Sequence, residues 1–184
     1  MQLYIKPLTK DDLEETVKLD RICFGGLWTK GAYEREIDSP NSLLLALMTP
    51  ENQLIGIGCF WAIVEEAHIT LLGIHPDYRR NGLGELLLCE LLMAAVDWPL
   101  ERATLEVRVS NESAIALYQK LGFQIAGRRK EYYPIPPEDA FILWRSHLDA
   151  PEFQEMLQKL QQKRSATLLT KGWQMLQSSQ GLDF

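Results

Sequence analysis

Between residues 67 and 109 the chain changes its hydrophobic rhythm three times, and this order constrains the fold more than any other feature. Residues 67–74 are apolar and β-prone. A loop with two glycines follows. From Gly82 onward Leu83, Leu86, Leu87, Leu91 and Ala94 recur at the helical period until Pro99 stops them. Residues 103–109 then alternate as a strand does. A strand, a helix and a strand need a crossover, so the two strands are parallel neighbours. The preceding strands are joined differently. Residues 42–48, 54–64 and 67–74 are separated only by Thr49-Pro50-Glu51-Asn52 and by Glu65-Glu66, which favours an antiparallel meander.

The remaining elements complete the frame. Leu3, Ile5 and Leu8 mark a first strand. Thr9 caps a helix, with Asp12 three residues on, and Gly25-Gly26 ends it after Phe24. Thr29 caps a short helix reaching Ile37. Ser110 or Asn111 caps another that runs to Leu121, and Gly122 stops it. Two more strands are expected at 124–133 and 140–148. The sum is α+β, a three-layer α/β arrangement of a mixed sheet flanked by helices. The domain is expected to span 1–148, with 149–184 as a C-terminal helical extension. There Phe153, Met156, Leu157 and Leu160 share one face, and Leu169, Trp173 and Leu176 continue it.

The 184 residues carry a formal net charge of −6, a poor basis for general nucleic-acid binding, which needs clustered Lys and Arg. The start of the chain, through Pro7, lacks a secretory signal pattern. No run approaches the roughly 18 consecutive apolar residues of a membrane span. Cys23, Cys59 and Cys89 are widely spaced in apolar stretches and read as buried free thiols of a reducing compartment. The expected location is the cytoplasm. His68, His75 and His147 are scattered and form no pair at metal-ligand spacing, so no metal is expected.

The segment from Ile69 to Gly84 runs from a strand, through His75-Pro76-Asp77-Tyr78, into Arg79-Arg80-Asn81-Gly82-Leu83-Gly84 and a helix. A helix start presents free N–H groups and a partial positive charge. Glycines let its backbone approach an anion, and arginines add directional donors. The chemistry is that of a phosphate site. A P-loop requires Lys-Ser or Lys-Thr after the last glycine, where Glu85-Leu86 stands. A dinucleotide fingerprint requires a third glycine, where Leu87 stands.

Glu106 lies mid-strand on the face it shares with Thr104 and Arg108, opposite Ala103, Leu105, Val107 and Val109. Alternation alone reads it as a surface ion pair with Arg108. Tyr118, among Ala114, Ile115, Leu117 and Leu121, reads from its spacing as a core tyrosine with its hydroxyl at the edge. Residues 28–33, with Trp28 and Tyr33, are a candidate lining for a peptide groove.

Arg79-Arg80-Asn81-Gly82-Leu83-Gly84, in its strand–helix setting, resembles the pyrophosphate loop of the GNAT acetyltransferases. The run from Leu105 to Phe123, with Leu105-Glu106-Val107-Arg108, Ser110-Asn111 and Ala116-Leu117-Tyr118, looks like the RimI branch of that family, as does Arg128-Arg129-Lys130-Glu131-Tyr132-Tyr133-Pro134. That branch comprises N-terminal alanine acetyltransferases acting on a small-subunit ribosomal protein. The resemblance covers roughly residues 1–148. It implies a mostly antiparallel seven-stranded sheet with splayed central strands, and acetyl-CoA as cosubstrate. It implies that Arg79, Arg80, Asn81, Gly82, Leu83 and Gly84 hold the phosphates. Leu72, Gly73 and Ile74 would bind the pantetheine arm, and Asn111 would contact the cofactor. Glu106 would be the general base and Tyr118 the acid that protonates the thiolate.

The implied reaction is direct acetyl transfer to a protein or peptide N-terminus, a ribosomal protein among the candidates. Two alternatives stay open: a small-molecule amine acceptor, and a CoA-binding or assembly module without catalysis. Monomer and homodimer through the extension stay open as well.

Overall fold

In the computed structural model residues 2–176 are described; Met1 and 177–184, the end of the expected extension, lie outside them. The elements are β1 (Gln2–Pro7), α1 (Leu13–Phe24), α2 (Lys30–Ile37), β2 (Ser42–Met48), β3 (Leu54–Ile63), β4 (Glu66–Ile74) and α3 (Leu83–Asp97). They continue with β5 (Arg102–Arg108), α4 (Glu112–Lys120), β6 (Gln124–Pro134), β7 (Pro137–Ser146), α5 (Pro151–Thr170) and β8 (Gln174–Met175). The strands form one sheet in the order β6-β7-β5-β4-β3-β2-β1-β8. Among the described residues only β4–β5 and β1–β8 pair in parallel.

Burial on both faces explains the near-continuous apolar run of β2. Leu43, Leu45 and Leu47 pack into the core that α3 and α5 cover, while Leu44, Ala46 and Met48 pack with Leu13, Leu19 and Tyr33 of α1 and α2. The expected caps are made. The Thr9 N–H donates to Asp12 Oδ2 at 2.9 Å, and Thr29 Oγ1 accepts from the Ala32 N–H. Of Ser110 and Asn111, it is Asn111 that caps α4, accepting from the Ala114 N–H.

The sheet has eight strands where seven are expected, and the eighth comes from the extension. Helix α5 stops at Thr170 because Gly172 turns the chain at φ +78°, a conformation that glycine adopts without strain. The Trp173 N–H then returns to the Leu168 carbonyl at 2.9 Å, and β8 pairs with β1. Helical spacing therefore misreads Leu169, Trp173 and Leu176 as a continued face. Leu168 is the buried residue and Leu169 is exposed. Phe153, Leu157 and Leu168 belong to the main core.

Strands β4 and β5 pair only at Glu66–Arg102, Ala67–Ala103 and His68–Thr104. Immediately beyond, the register of β4 on β3 shifts: Ile69 faces Phe60 and Leu71 faces Cys59, so Thr70 is the extra residue of a bulge. A bulge bends its strand and sharpens its twist. From there to Ile74, β4 keeps β3 on one side and, among the described residues, has no strand on the other. The result is a cleft with an open backbone edge, at the mouth of which the glycine loop begins.

Candidate active site

The glycine loop is held by its own polar groups. Arg79 Nε donates to the Ile74 carbonyl at 2.9 Å, and Asn81 Nδ2 donates to the carbonyls of Tyr78 and Arg79. Arg79 is thus partly engaged in fastening the loop to the end of β4, whereas Arg80 is exposed. Gly82 is the N-cap of α3 at φ +84°, where any side chain would be strained. The Leu86 N–H is returned to the Gly82 carbonyl, and the N–H groups just before it are those a helix start leaves free. A β-carbon on Gly84 would meet only ordinary contacts, with Ile74 at 3.7 Å and Leu117 at 3.8 Å. Packing alone therefore does not require glycine at this position. Gly73 does have a packing reason, since a β-carbon there would lie 2.5 Å from the Phe24 ring.

Glu85, in the first turn of α3, has a side chain only 6% exposed and pairs with Lys120 of α4 and Arg164 of α5. Burial pushes its carboxyl up, but hydrogen bonds and charge from Arg164 and Lys120 outweigh that and hold it below the ordinary 4.5. A lowered folded value means the pairing stabilises fully above pH 4.5 and is lost as pH falls through the folded value. In urea titrations across that acid window, Glu85→Gln is expected to show a flatter loss of stability than the unsubstituted chain. An equally steep loss in both would remove Glu85 from the acid response.

Glu106 is not the surface partner of Arg108. Its side chain is 7% exposed, and its two oxygens meet His68 Nε2 at 2.9 Å and Arg129 Nη2 at 3.2 Å. Arg108 instead pairs with Glu138 at 2.9 Å and lies over the Tyr133 ring. The Glu106 carboxylate stands where β4 and β5 part, two residues beyond the last paired position, Thr104. His68 Nδ1 in turn lies 4.0 Å from Glu66, so a line of titratable groups runs outward from Glu106. The scattered histidines give no metal-ligand spacing, and the signal for His68 is only its place on β4, one crossover away from Glu106.

Tyr118 is 7% exposed, and its ring meets Phe123 edge-on at 5.7 Å. Among the described residues its hydroxyl has no hydrogen-bond partner. Burial, with Tyr133 nearby, pushes that hydroxyl far above the ordinary tyrosine range. Tyr133 is tied to both candidates. Its hydroxyl donates to the Glu106 carbonyl at 3.4 Å, and burial and Tyr132 push it up to about 12.

Other expectations fare unevenly. Tyr33 lines no groove: it is fully buried, and its hydroxyl donates to Asp20 at 2.7 Å. Trp28 stacks on Trp61 at 6.1 Å, and Trp61 reaches His68. Cys59 and Cys89 are buried and their thiols are pushed up to about 12, which removes both as nucleophiles near neutral pH, and Cys23 is half-buried. Among the described residues no group of three or more His, Cys, Asp or Glu is placed to hold a metal ion, and no helix is long and apolar enough to cross a membrane.

A helix start with free N–H groups, an open strand edge and a buried carboxylate thus meet at one cleft. The chain belongs to the acetyltransferase (GNAT) family, whose model matches residues 13–123. A Bacillus subtilis protein described as a putative ribosomal protein bS18-alanine N-acetyltransferase is 33% identical over 141 residues, covering 76% of this chain and 93% of that protein. The N-alpha-acetyltransferase RimI of Mycobacterium tuberculosis is 31% identical over 151 residues, covering 79% and 93%. The crystal structure of the ribosomal-protein-S18-alanine N-acetyltransferase from Escherichia coli superposes with a TM-score of 0.72 at 28% identity, covering 79% of this chain and 94% of that one. The reaction class is N-acetyl transfer, and the family uses acetyl-CoA as cosubstrate. The cleft fits such a donor: the free N–H groups of a helix start at Gly82 suit a pyrophosphate, and the unpaired edge of β4 suits an amide-bearing arm.

Proposed function

We propose that this chain transfers the acetyl group of acetyl-CoA to the N-terminal amine of a protein, alanine-first chains such as ribosomal protein bS18 being the acceptor class. The observation that carries the reading is Glu106, a buried carboxylate at the parting of β4 and β5 with a histidine at hydrogen-bond distance. When bound, acetyl-CoA supplies an activated acyl carbon and a thiol leaving group. The backbone of Leu72, Gly73 and Ile74 lies along the open edge and would orient the donor's arm. The loop Arg79, Arg80, Asn81, Gly82, Leu83 and Gly84 would hold its phosphates. Asn111, whose Oδ1 is used in capping α4, has its amide nitrogen left for the donor.

An amine attacks only as the free base, so the acceptor ammonium must first lose a proton. Glu106 attracts the ammonium and accepts that proton, and His68 and then Glu66 offer it a way outward. Tyr118 holds its hydroxyl proton until a thiolate develops beside it. The RimI-type names of the relatives support the protein acceptor, and such an enzyme would work in the cytoplasm. Purified protein mixed with acetyl-CoA and an alanine-first peptide is expected to release free thiol and add one acetyl group to the peptide's α-amine by mass spectrometry. Turnover confined to polyamines or amino sugars in a parallel screen would overturn the acceptor. CoA binding without turnover of either class would overturn catalysis.

A further inference from the structure

The family match ends at residue 123, yet residues 151–175 reach back to the glycine loop. Three contacts make the approach. Arg164 of α5 ion-pairs with Glu85 and lays its side chain against Gly82, where a β-carbon would lie 3.0 Å from both Cδ and Nη1. Lys171, just past the end of α5, donates through Nζ to Asn81 Oδ1 at 3.2 Å. Trp173 sets its ring 6.1 Å from that of Tyr78, at the entrance of the loop. These groups cannot drift independently, because Leu168 is buried in the core and β8 is paired to β1.

Two further facts suggest a ligand rather than a simple clamp. Arg164 Nε is buried and has no hydrogen-bond partner among the described residues, although it lies at the loop. An unmet buried donor is costly, and a small turn of the partly exposed guanidinium would bring it to an anion at the loop. The second is charge. Glu85 places a carboxylate in the first turn of the helix whose start must receive a phosphate, in a chain that already carries −6. Lys120 from α4 and Arg164 from α5 more than neutralise it, and Arg80 and Lys171 add positive charge around the loop.

Resting on the CoA reading above, we propose that the C-terminal extension is part of the cosubstrate site, with Arg164 and Lys171 binding the phosphates of CoA. Arg164 does two things: it cancels Glu85 and holds an unpaired N–H close against Gly82. Lys171, fixed on Asn81, gives a second cation at the loop. The extension thus works as a phosphate clamp on its own domain.

Calorimetric titration of the full chain with CoA and with dephospho-CoA tests this, with thermal unfolding recorded for each variant. Lys171→Met is expected to weaken CoA binding about threefold, the scale of an exposed charge contact. Arg164→Gln is expected to weaken it about tenfold or more, the scale of a charge-assisted hydrogen bond. Should Arg164→Gln fail to fold because Glu85 keeps only Lys120, the double variant Glu85→Gln/Arg164→Gln, compared with Glu85→Gln alone, reports in its place with a loss of about threefold or more. A loss seen with both ligands assigns the cations to the pyrophosphate, and a loss seen with CoA alone assigns them to the 3′-phosphate. Unsubstituted affinity in the Lys171 and Arg164 variants would overturn the proposal while leaving the cosubstrate reading intact. Failure of the unsubstituted chain to bind CoA would overturn that reading itself.

Discussion

Glu106→Gln is expected to lower kcat by roughly 10²–10⁴, the range that loss of a positioned general base produces, with CoA affinity unchanged. The substitution is close to isosteric. A glutamine at this position still accepts from Arg129 and still meets His68, so neither group is left bare in the cleft. What disappears is the ability to take a proton. The negative charge that holds an ammonium also goes, so KM for the acceptor is expected to rise while the donor's does not. The measurement is steady-state kinetics with each substrate varied in turn, beside a CoA titration. Normal turnover in the Gln variant would move the base elsewhere, and His68 is the adjacent titratable group.

The local parts of this site were legible because they are local. Gly82 at a helix start, Asp12 three residues after Thr9 and Asn111 before an apolar helix each carry their own physical reason within a few residues. The crossover from β4 through α3 to β5 followed from hydrophobic rhythm alone. Partner choice was not legible. Alternation put Glu106 and Arg108 on one face, but i and i+2 neighbours share a face without having to share a bond. Across-sheet partners won: His68 for Glu106, and Glu138 for Arg108. The point where the strands part was equally hidden, since it depends on a bulge at Thr70 that has no glycine or proline to announce it.

The extension shows the same division. Phe153 and Leu157 declared a buried face by spacing, and they are buried. Gly172 reads as a weak point within a helix, whereas it is the hinge of a reversal that sends Trp173 to Tyr78 and Met175 to β1. Nothing near Arg164 in the chain points to Glu85, because 79 positions separate them and only packing of α5 on α3 brings them together. Long-range charge pairing is the part of a site that periodicity cannot supply, and in this fold it governs both ends of the cleft.

Tyr118→Phe isolates the other half of the proton bookkeeping. The ring keeps its edge contact with Phe123, and the lost hydroxyl has no hydrogen-bond partner among the described residues, so stability is expected to hold. Turnover is expected to fall roughly a hundredfold or more, as for removal of a general acid. The raised value of the hydroxyl does not disqualify it as a donor. The same burial that disfavours tyrosinate disfavours a thiolate formed beside it, so the proton affinity of the sulfur rises in step. It also means Tyr118 stays protonated as pH climbs past the ordinary tyrosine value of 10.0, so it contributes no alkaline limb near that pH. Two readouts therefore go together. The Phe variant should recover rate with acetyl thioesters of more acidic thiols, which leave without a proton, and the shape of its alkaline profile should match that of the unsubstituted chain. A Phe variant as slow with an acidic leaving thiol as with CoA would deny Tyr118 the role of acid and leave it a packing residue beside Phe123.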